Sequence, residues 1–247
     1  MKLRWIRIRE RRELTWPARG AVLLLALALV RLSAPGMYLW LACGERLPVN
    51  PPRDVVIEGW LNDAALDHIL PWLREHGESL VFCTGGPVET GSILVPYHSY
   101  AEVTRQRLVQ AGIPDERVRS VPAPYAARDR TLASALALRA HLEESSMPAG
   151  GRLLLISEGA HTRRSRLLFE RALRGIAKVE AWGIPPSRYG RNDWWTLSAG
   201  FKTVTGEMIA LPYTWLQRSD TGIPDAAPEH HPPQVIPPPP DAPAVPV

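Results

Sequence analysis

The chain is short of cysteine, of net charge in its body and of any named catalytic signature. Two cysteines occur in 247 residues, which excludes a disulfide-stapled scaffold. Neither lies in a CxxC or Cys/His cluster of the kind a structural zinc requires. Cys43 closes an apolar run and Cys83 a strand-like one; a bridge between them would tie the first segment to the sheet, and free thiols are the expected state. There is no GxGxxG, Walker loop, GxSxG, HExxH or paired-Asp motif, and no internal repeat, so no cofactor or metal is expected. The formal charge of +4 is also misleading. Residues 1–19 hold seven basic side chains and two acids, which leaves 22 basic against 23 acidic residues in 20–247. A nucleic-acid binder carries its Lys/Arg on the folded domain, so no nucleic-acid partner is expected.

What is present begins with an apolar run. After the basic tail, residues 20–43 are apolar or neutral except for Arg31, and about 20 such residues suffice to cross a bilayer. A mid-span arginine costs about 2.5–3.5 kcal/mol, while each leucine returns roughly 0.3–0.6 kcal/mol. Eight leucines between Leu23 and Leu41 offset it, and a long arginine side chain can snorkel. A buried core helix or a cleaved signal are the competing readings; Trp40 ahead of Ala42 spoils a cleavage site. The positive-inside rule then keeps 1–19 in the cytoplasm and sends the remainder across. The expected layout is a basic tail (1–19), a membrane anchor (20–43), a Pro-containing linker (44–52), a folded domain (53–218) and a tail (219–247). Residues 223–247 contain ten prolines and too little apolar surface to fold. That tail is read as inert or as a dock for an envelope protein partner.

Within the domain, apolar strand-like runs at 53–58, 80–83, 118–121, 152–157 and 178–182 alternate with helical patterns at 62–76, 99–111, 131–144 and 161–173. This alternation predicts an α/β, Rossmann-like, mostly parallel sheet of about five strands with helices on both faces, preceded by one transmembrane helix. A final segment, 194–217, contains Lys202 and Glu207 and is expected to pack on the domain as a helix, being too charged for a second span.

Ligands of open α/β sheets bind beyond the carboxyl ends of the strands. The strand ends carry Glu58-Gly59-Trp60, Thr84-Gly85-Gly86, Arg130-Thr131 with Ser134 one turn on, and Ser157 to His161. Glycines allow close approach to the backbone, and free helix N–H groups favour anions. His161 and Arg164 share a helix face at a spacing of three. The candidate set is therefore His161, Glu58 and Glu102 for acid–base chemistry, with Gly59, Thr84, Gly85, Gly86, Arg130, Thr131, Ser134, Ser157 and Arg164 for binding an anionic group. Ordinary roles compete: Thr131 as an N-cap, Gly85-Gly86 as a turn, His161 as a cap or core residue, and Arg163, Arg164 and Arg166 as a solvated face.

The order of motifs resembles the YdcF-like family, with its SanA and ElyC branches. The matching stretches are VVIEGWL (55–61), TGGPVETGS (84–92), YAEV (100–103), AGIPDERV (111–118), PAPYAARDRTLASALAL (122–138), HTRRSRLLFERAL (161–173) and WWTLSAGFKTVTGEMIAL (194–211). The resemblance implies a Rossmann-like domain behind one membrane anchor, a role in assembly of the bacterial envelope, and a pocket formed by Glu58, Gly85, Gly86, Glu102, Arg130, Thr131, His161 and Arg164. Ser134 stands where many members have Asn, so contacts made by that amide do not carry over. The resulting expectation is a single-pass protein of the bacterial inner membrane. Its extracytoplasmic domain would bind or process a phosphate-bearing small molecule, such as a lipid-linked glycan precursor. A non-catalytic envelope scaffold and a nucleotide- or S-adenosylmethionine-binding domain are the alternatives.

Overall fold

In the computed structural model, which describes residues 15–89, 96–145 and 151–217, five strands form one parallel sheet in the order β3-β2-β1-β4-β5. They are β1 (Asp54–Glu58), β2 (Val81–Gly85), β3 (Val118–Pro122), β4 (Gly151–Glu158) and β5 (Ala177–Ile184). The expected Pro-rich tail and most of the basic tail lie outside the described residues. The central strand β1 reads Asp-Val-Val-Ile-Glu, a short β-branched run of the type that is buried on both faces of a parallel sheet.

Side chains alternate across that sheet. Val55 and Ile57 face α2 (Asp63–Glu75) and α3 (Tyr100–Gln110), where they pack with Leu66, Ile69, Leu73 and Leu108. Val56 faces the other layer, α4 (Arg130–Glu144) and α5 (Thr162–Ala172), with Leu138, Leu142, Leu155 and Phe169. By the same alternation Glu58 points to the α4/α5 side. The chain winds from β1 outward to β3, then returns to place β4 on the other flank of β1. The sheet's switch point thus lies between the carboxyl ends of β1 and β4, where open α/β sheets bind ligands.

Some bounds differ from those expected. Thr84 and Gly85 are strand residues, not loop, because β2 runs on to pair with Val121 and Pro122 of β3. The helix α2 continues through Pro71, helped by an Asn62 side chain that accepts from the Ala65 N–H at 2.9 Å and caps its start. The last helix, α6 (Ser198–Leu216), starts after Trp194–Leu197.

Among the described residues one helix, α1 (Trp16–Leu41), is long and apolar enough to cross a membrane, with a mean hydropathy of 1.9 over its best window. Its 26 residues extend about 39 Å at about 1.5 Å per residue. The leucines of its first half are exposed, but Ala34, Tyr38, Leu41 and the following Ala42 are buried in a cluster with Ala160, Trp194, Val204 and Leu211. Trp194 donates its indole N–H to the Ala34 carbonyl at 3.2 Å, and the Tyr38 hydroxyl donates to Glu45. A Cβ on Gly183 of β5 would run into the Ala42 carbonyl, so glycine is what permits this seam. Arg31 has a partner within the protein: its guanidinium lies 4.1 Å over the Trp195 ring, a cation–π contact.

Candidate functional site

Glu58 ends β1 at the switch point and is only 3% exposed. One carboxylate oxygen, Oε1, accepts from the Ser165 hydroxyl of α5 at 3.0 Å, while Oε2 is buried with no partner among the described residues. An unpaired buried carboxylate oxygen is costly, so Glu58 faces the interior of the site with unused hydrogen-bonding capacity.

His161 arrives from the other flank. Past β4 the chain makes a single 3-10 turn, Gly159–His161, in which Gly159 takes φ +52, the left-handed region that suits glycine. The turn delivers His161 to the head of α5, one helical turn before Arg164. Both side chains meet Glu207 of α6. His161 Nδ1 lies 2.7 Å from Glu207 Oε1, and Arg164 donates from Nε to Oε2 at 2.7 Å and from Nη2 to Oε1 at 3.0 Å. A carboxylate accepts only from a protonated nitrogen, so the Nδ1–H tautomer follows from this network. The 3.0 Å approach of Arg164 Nη2 to Nδ1 is then two donors converging on one oxygen. Nε2 is left facing the Thr131 hydroxyl at 3.5 Å and Glu58 Oε1 at 4.0 Å. The Trp60 ring stands edge-on to the imidazole, with centroids 5.1 Å apart.

The electrostatics follow from the same contacts. Burial pushes the Glu207 carboxyl upward, but the hydrogen bonds from His161 and Arg164 outweigh it and hold the pKa down at about 2. Burial lowers Arg164, yet the bond to Glu207 prevails and raises it. Glu158, at the end of β4, is raised by burial against the opposing hydrogen bond from Asn62. Tyr189 is pushed up to about 12, mainly by burial.

These groups wall a cavity of about 920 Å³ above the carboxyl ends of the strands, a volume suited to a substantial small molecule. Arg130, Arg164, Arg188 and Lys202 line it together with Glu58, Glu89, Asp129 and Glu158. Formal charge is balanced along this lining, with Arg130 at the head of α4, Lys202 on α6 and Arg188 near Glu158. Arg130 reaches Glu89 at 3.4 Å. At the head of α4, Asp129 sits at φ 55, a local strain beside the cavity of the kind that clusters at functional sites. Among the described residues no group of three or more His, Cys, Asp or Glu gathers to hold a metal ion.

No protein-family model, curated protein or solved structure matches this chain.

Of the residues singled out in the sequence, Glu58, Thr84, Gly85, Gly86, Arg130, Thr131, Ser134, His161 and Arg164 line the cavity. Thr131 is the second residue of α4, not its N-cap, which is Asp129. Three others lie behind the wall. Glu102 closes a capping box at the start of α3, accepting from the His98 and Ser99 N–H groups at 2.7 and 3.3 Å. Gly59 holds the rim together: its N–H donates to Thr84 O at 2.6 Å, and a Cβ there would lie 2.7 Å from two backbone carbonyl oxygens. Ser157 is fully buried within β4. Arg163 donates to the Trp40 carbonyl at 2.5 Å, and Arg166 pairs with Glu170 on its own helix; neither serves the cavity.

Sequence reasoning left out Trp60, Tyr189 and above all Glu207. One signal for Glu207 was available. It falls on the stripe Gly200, Val204, Glu207, Leu211 that α6 buries, and an acid on a buried stripe requires a cationic partner.

Proposed function

We propose that this protein is a membrane-anchored α/β domain of the bacterial envelope that binds and processes a phosphate-bearing ligand, such as a lipid-linked glycan precursor, at the carboxyl rim of its sheet. The observation that carries this reading is the Glu207–His161 pair. It fixes the imidazole through Nδ1 and leaves Nε2 facing the Thr131 hydroxyl and Glu58, as in a positioned general acid–base. In the proposed chemistry Nε2 takes a proton from an attacking hydroxyl or water and returns it to the leaving oxygen. Glu58, with its unpartnered oxygen, accepts from a ligand hydroxyl or the nucleophile. Arg130 and the head of α4 hold the anionic group, and Arg164 keeps Glu207 ionised. The resemblance to the YdcF-like family supports the envelope setting. The basic residues ahead of the apolar helix support a cytoplasmic N-terminus with the domain across the inner membrane.

The test uses the full chain in detergent, because the last turns of α1 belong to the domain's core. Thermal shift and phosphate release are measured with a panel of isoprenyl phosphates, isoprenyl pyrophosphates and soluble phosphomonoesters, for the parent and for His161→Ala and Arg130→Ala. At least one phosphorylated compound is expected to stabilise the parent. His161→Ala is expected to lower turnover by 10²-fold or more, in the range of general acid–base catalysis, and Arg130→Ala to weaken binding. Equal binding and turnover by all three proteins would sink the proposal. A periplasm-specific reporter fused after residue 217 reads the topology, and an inactive fusion would overturn the orientation.

A further inference from the structure

The helix α6 is apolar on more than the face it buries. Gly200, Val204, Glu207, Leu211 and Thr214 turn inward, yet Ile209, Tyr213 and Leu216 are exposed on the opposite side, Ile209 at 75% and Leu216 at 84%, and Phe201 is exposed on the flank. From residue 203 to 216 the helix has one charge, Glu207, and it points in. A water-facing helix normally carries a polar outer face, and a continuous apolar patch marks an interaction surface.

The neighbour of that face identifies what covers it. The C-terminal part of α1 leaves the domain beside α6: Tyr38 and Leu41 share a cluster with Val204 and Leu211, and the Trp40 and Trp215 rings meet edge-on at 6.1 Å. The length of α1 then fixes depth. Between Arg19 and Arg31 lie eleven uncharged residues, about 16 Å of helix at about 1.5 Å per residue, far less than the roughly 30 Å hydrocarbon core. About 20 residues are needed, so a span beginning after Arg19 reaches to about Leu39. It therefore includes Arg31, whose charge is covered by Trp195, and the turn at Ala34 that Trp194 grips. Whatever packs beside Ala34–Leu41 sits at that depth as well. Trp40, Tyr213 and Trp215 supply the amphipathic rings favoured at headgroup level.

We propose that the outer face of α6 lies in the outer leaflet of the bilayer, so that the domain is held to the membrane by two helices, one crossing and one lying at the interface. The occupant of the patch is lipid. A second copy of the chain is the competing occupant, to be separated by experiment.

The full chain is reconstituted into phosphatidylcholine–phosphatidylglycerol vesicles with an environment-sensitive fluorophore on Ile209→Cys, on Leu216→Cys, or on Glu116→Cys in the exposed turn before β3. Background labelling is taken from the parent. Lipids carrying a nitroxide quencher on the acyl chain are expected to quench the labels at 209 and 216 several-fold more than the label at 116, whatever the protein-to-lipid ratio. Quenching at 209 and 216 no greater than at 116 overturns the proposal. Labels shielded from both lipid and aqueous quenchers, with shielding that grows with protein density, assign the face to a second copy and also overturn it.

Discussion

Replacing Glu207 by Gln removes the charge that joins α6 to α5 while keeping the shape of the side chain. The folded protein holds this carboxyl at about 2, against an ordinary value of 4.5. At about 1.4 kcal/mol per tenfold change in proton affinity, that difference corresponds to roughly 3 kcal/mol of folding stability. A carboxyl whose pKa is lowered by folding contributes fully above its unfolded value and loses the contribution as pH falls toward the folded one. The parent should therefore lose stability between about pH 4.5 and 2 on account of this group. Glu207→Gln should be less stable by about 3 kcal/mol at pH 7, and the gap should narrow as pH falls from 5 to 3. The assay is urea unfolding of the full chain in detergent at pH 7, 5 and 3, followed by tryptophan fluorescence. Truncating one member of a buried ion pair leaves the other unsatisfied, so Arg164→Met added to Glu207→Gln should recover part of the loss. A Glu207→Gln protein as stable as the parent at pH 7, or a gap constant from pH 7 to 3, would refute the reasoning.

Gly59→Ala places a Cβ 2.7 Å from the Thr84 and Tyr100 carbonyl oxygens, which are backbone and cannot swing away. It should cost about 1–3 kcal/mol, as overpacking does, whereas Gly77→Ala, with open space around it, should melt close to the parent; equal melting temperatures would contradict the packing. Cys83 is buried and burial raises its thiol pKa, and Cys43 is half-buried. Mass spectrometry after maleimide treatment at pH 7.5 should find Cys83 unmodified in the folded chain and both cysteines modified in urea, and rapid native labelling of Cys83 would count against the core as described.

The sheet and most of the rim were legible because each depends on short-range pattern. Runs such as Val55-Val56-Ile57 mark buried parallel strands, and glycines and polar residues stand out where those runs stop. The identity of the acid–base partners was less legible. Ser99 and Glu102 form the S-x-x-E pattern of a capping box, and the local backbone N–H groups claim a carboxylate that strand order alone would assign to the rim. Glu207 lies 46 residues beyond His161, and that pairing exists only once α6 has folded across the head of α5. The place of α1 was hidden for a similar reason. An apolar run predicts a crossing helix, but most partners of Tyr38 and Leu41 come from more than 110 residues further along, at Ala160, Tyr189, Trp194, Val204 and Leu211.

The seam at Gly183 has a mechanical consequence. Because the Ala42 carbonyl sits where a Cβ would be, the C-cap of α1 and the strand β5 are in direct backbone contact at Gly183. Helices accommodate a thinner bilayer by tilting, and on the proposed membrane placement a tilt of α1 would be passed to the domain through this contact. On the proposed membrane placement, bilayer thickness would set the height of the cavity above the lipid and so which ligands can reach it.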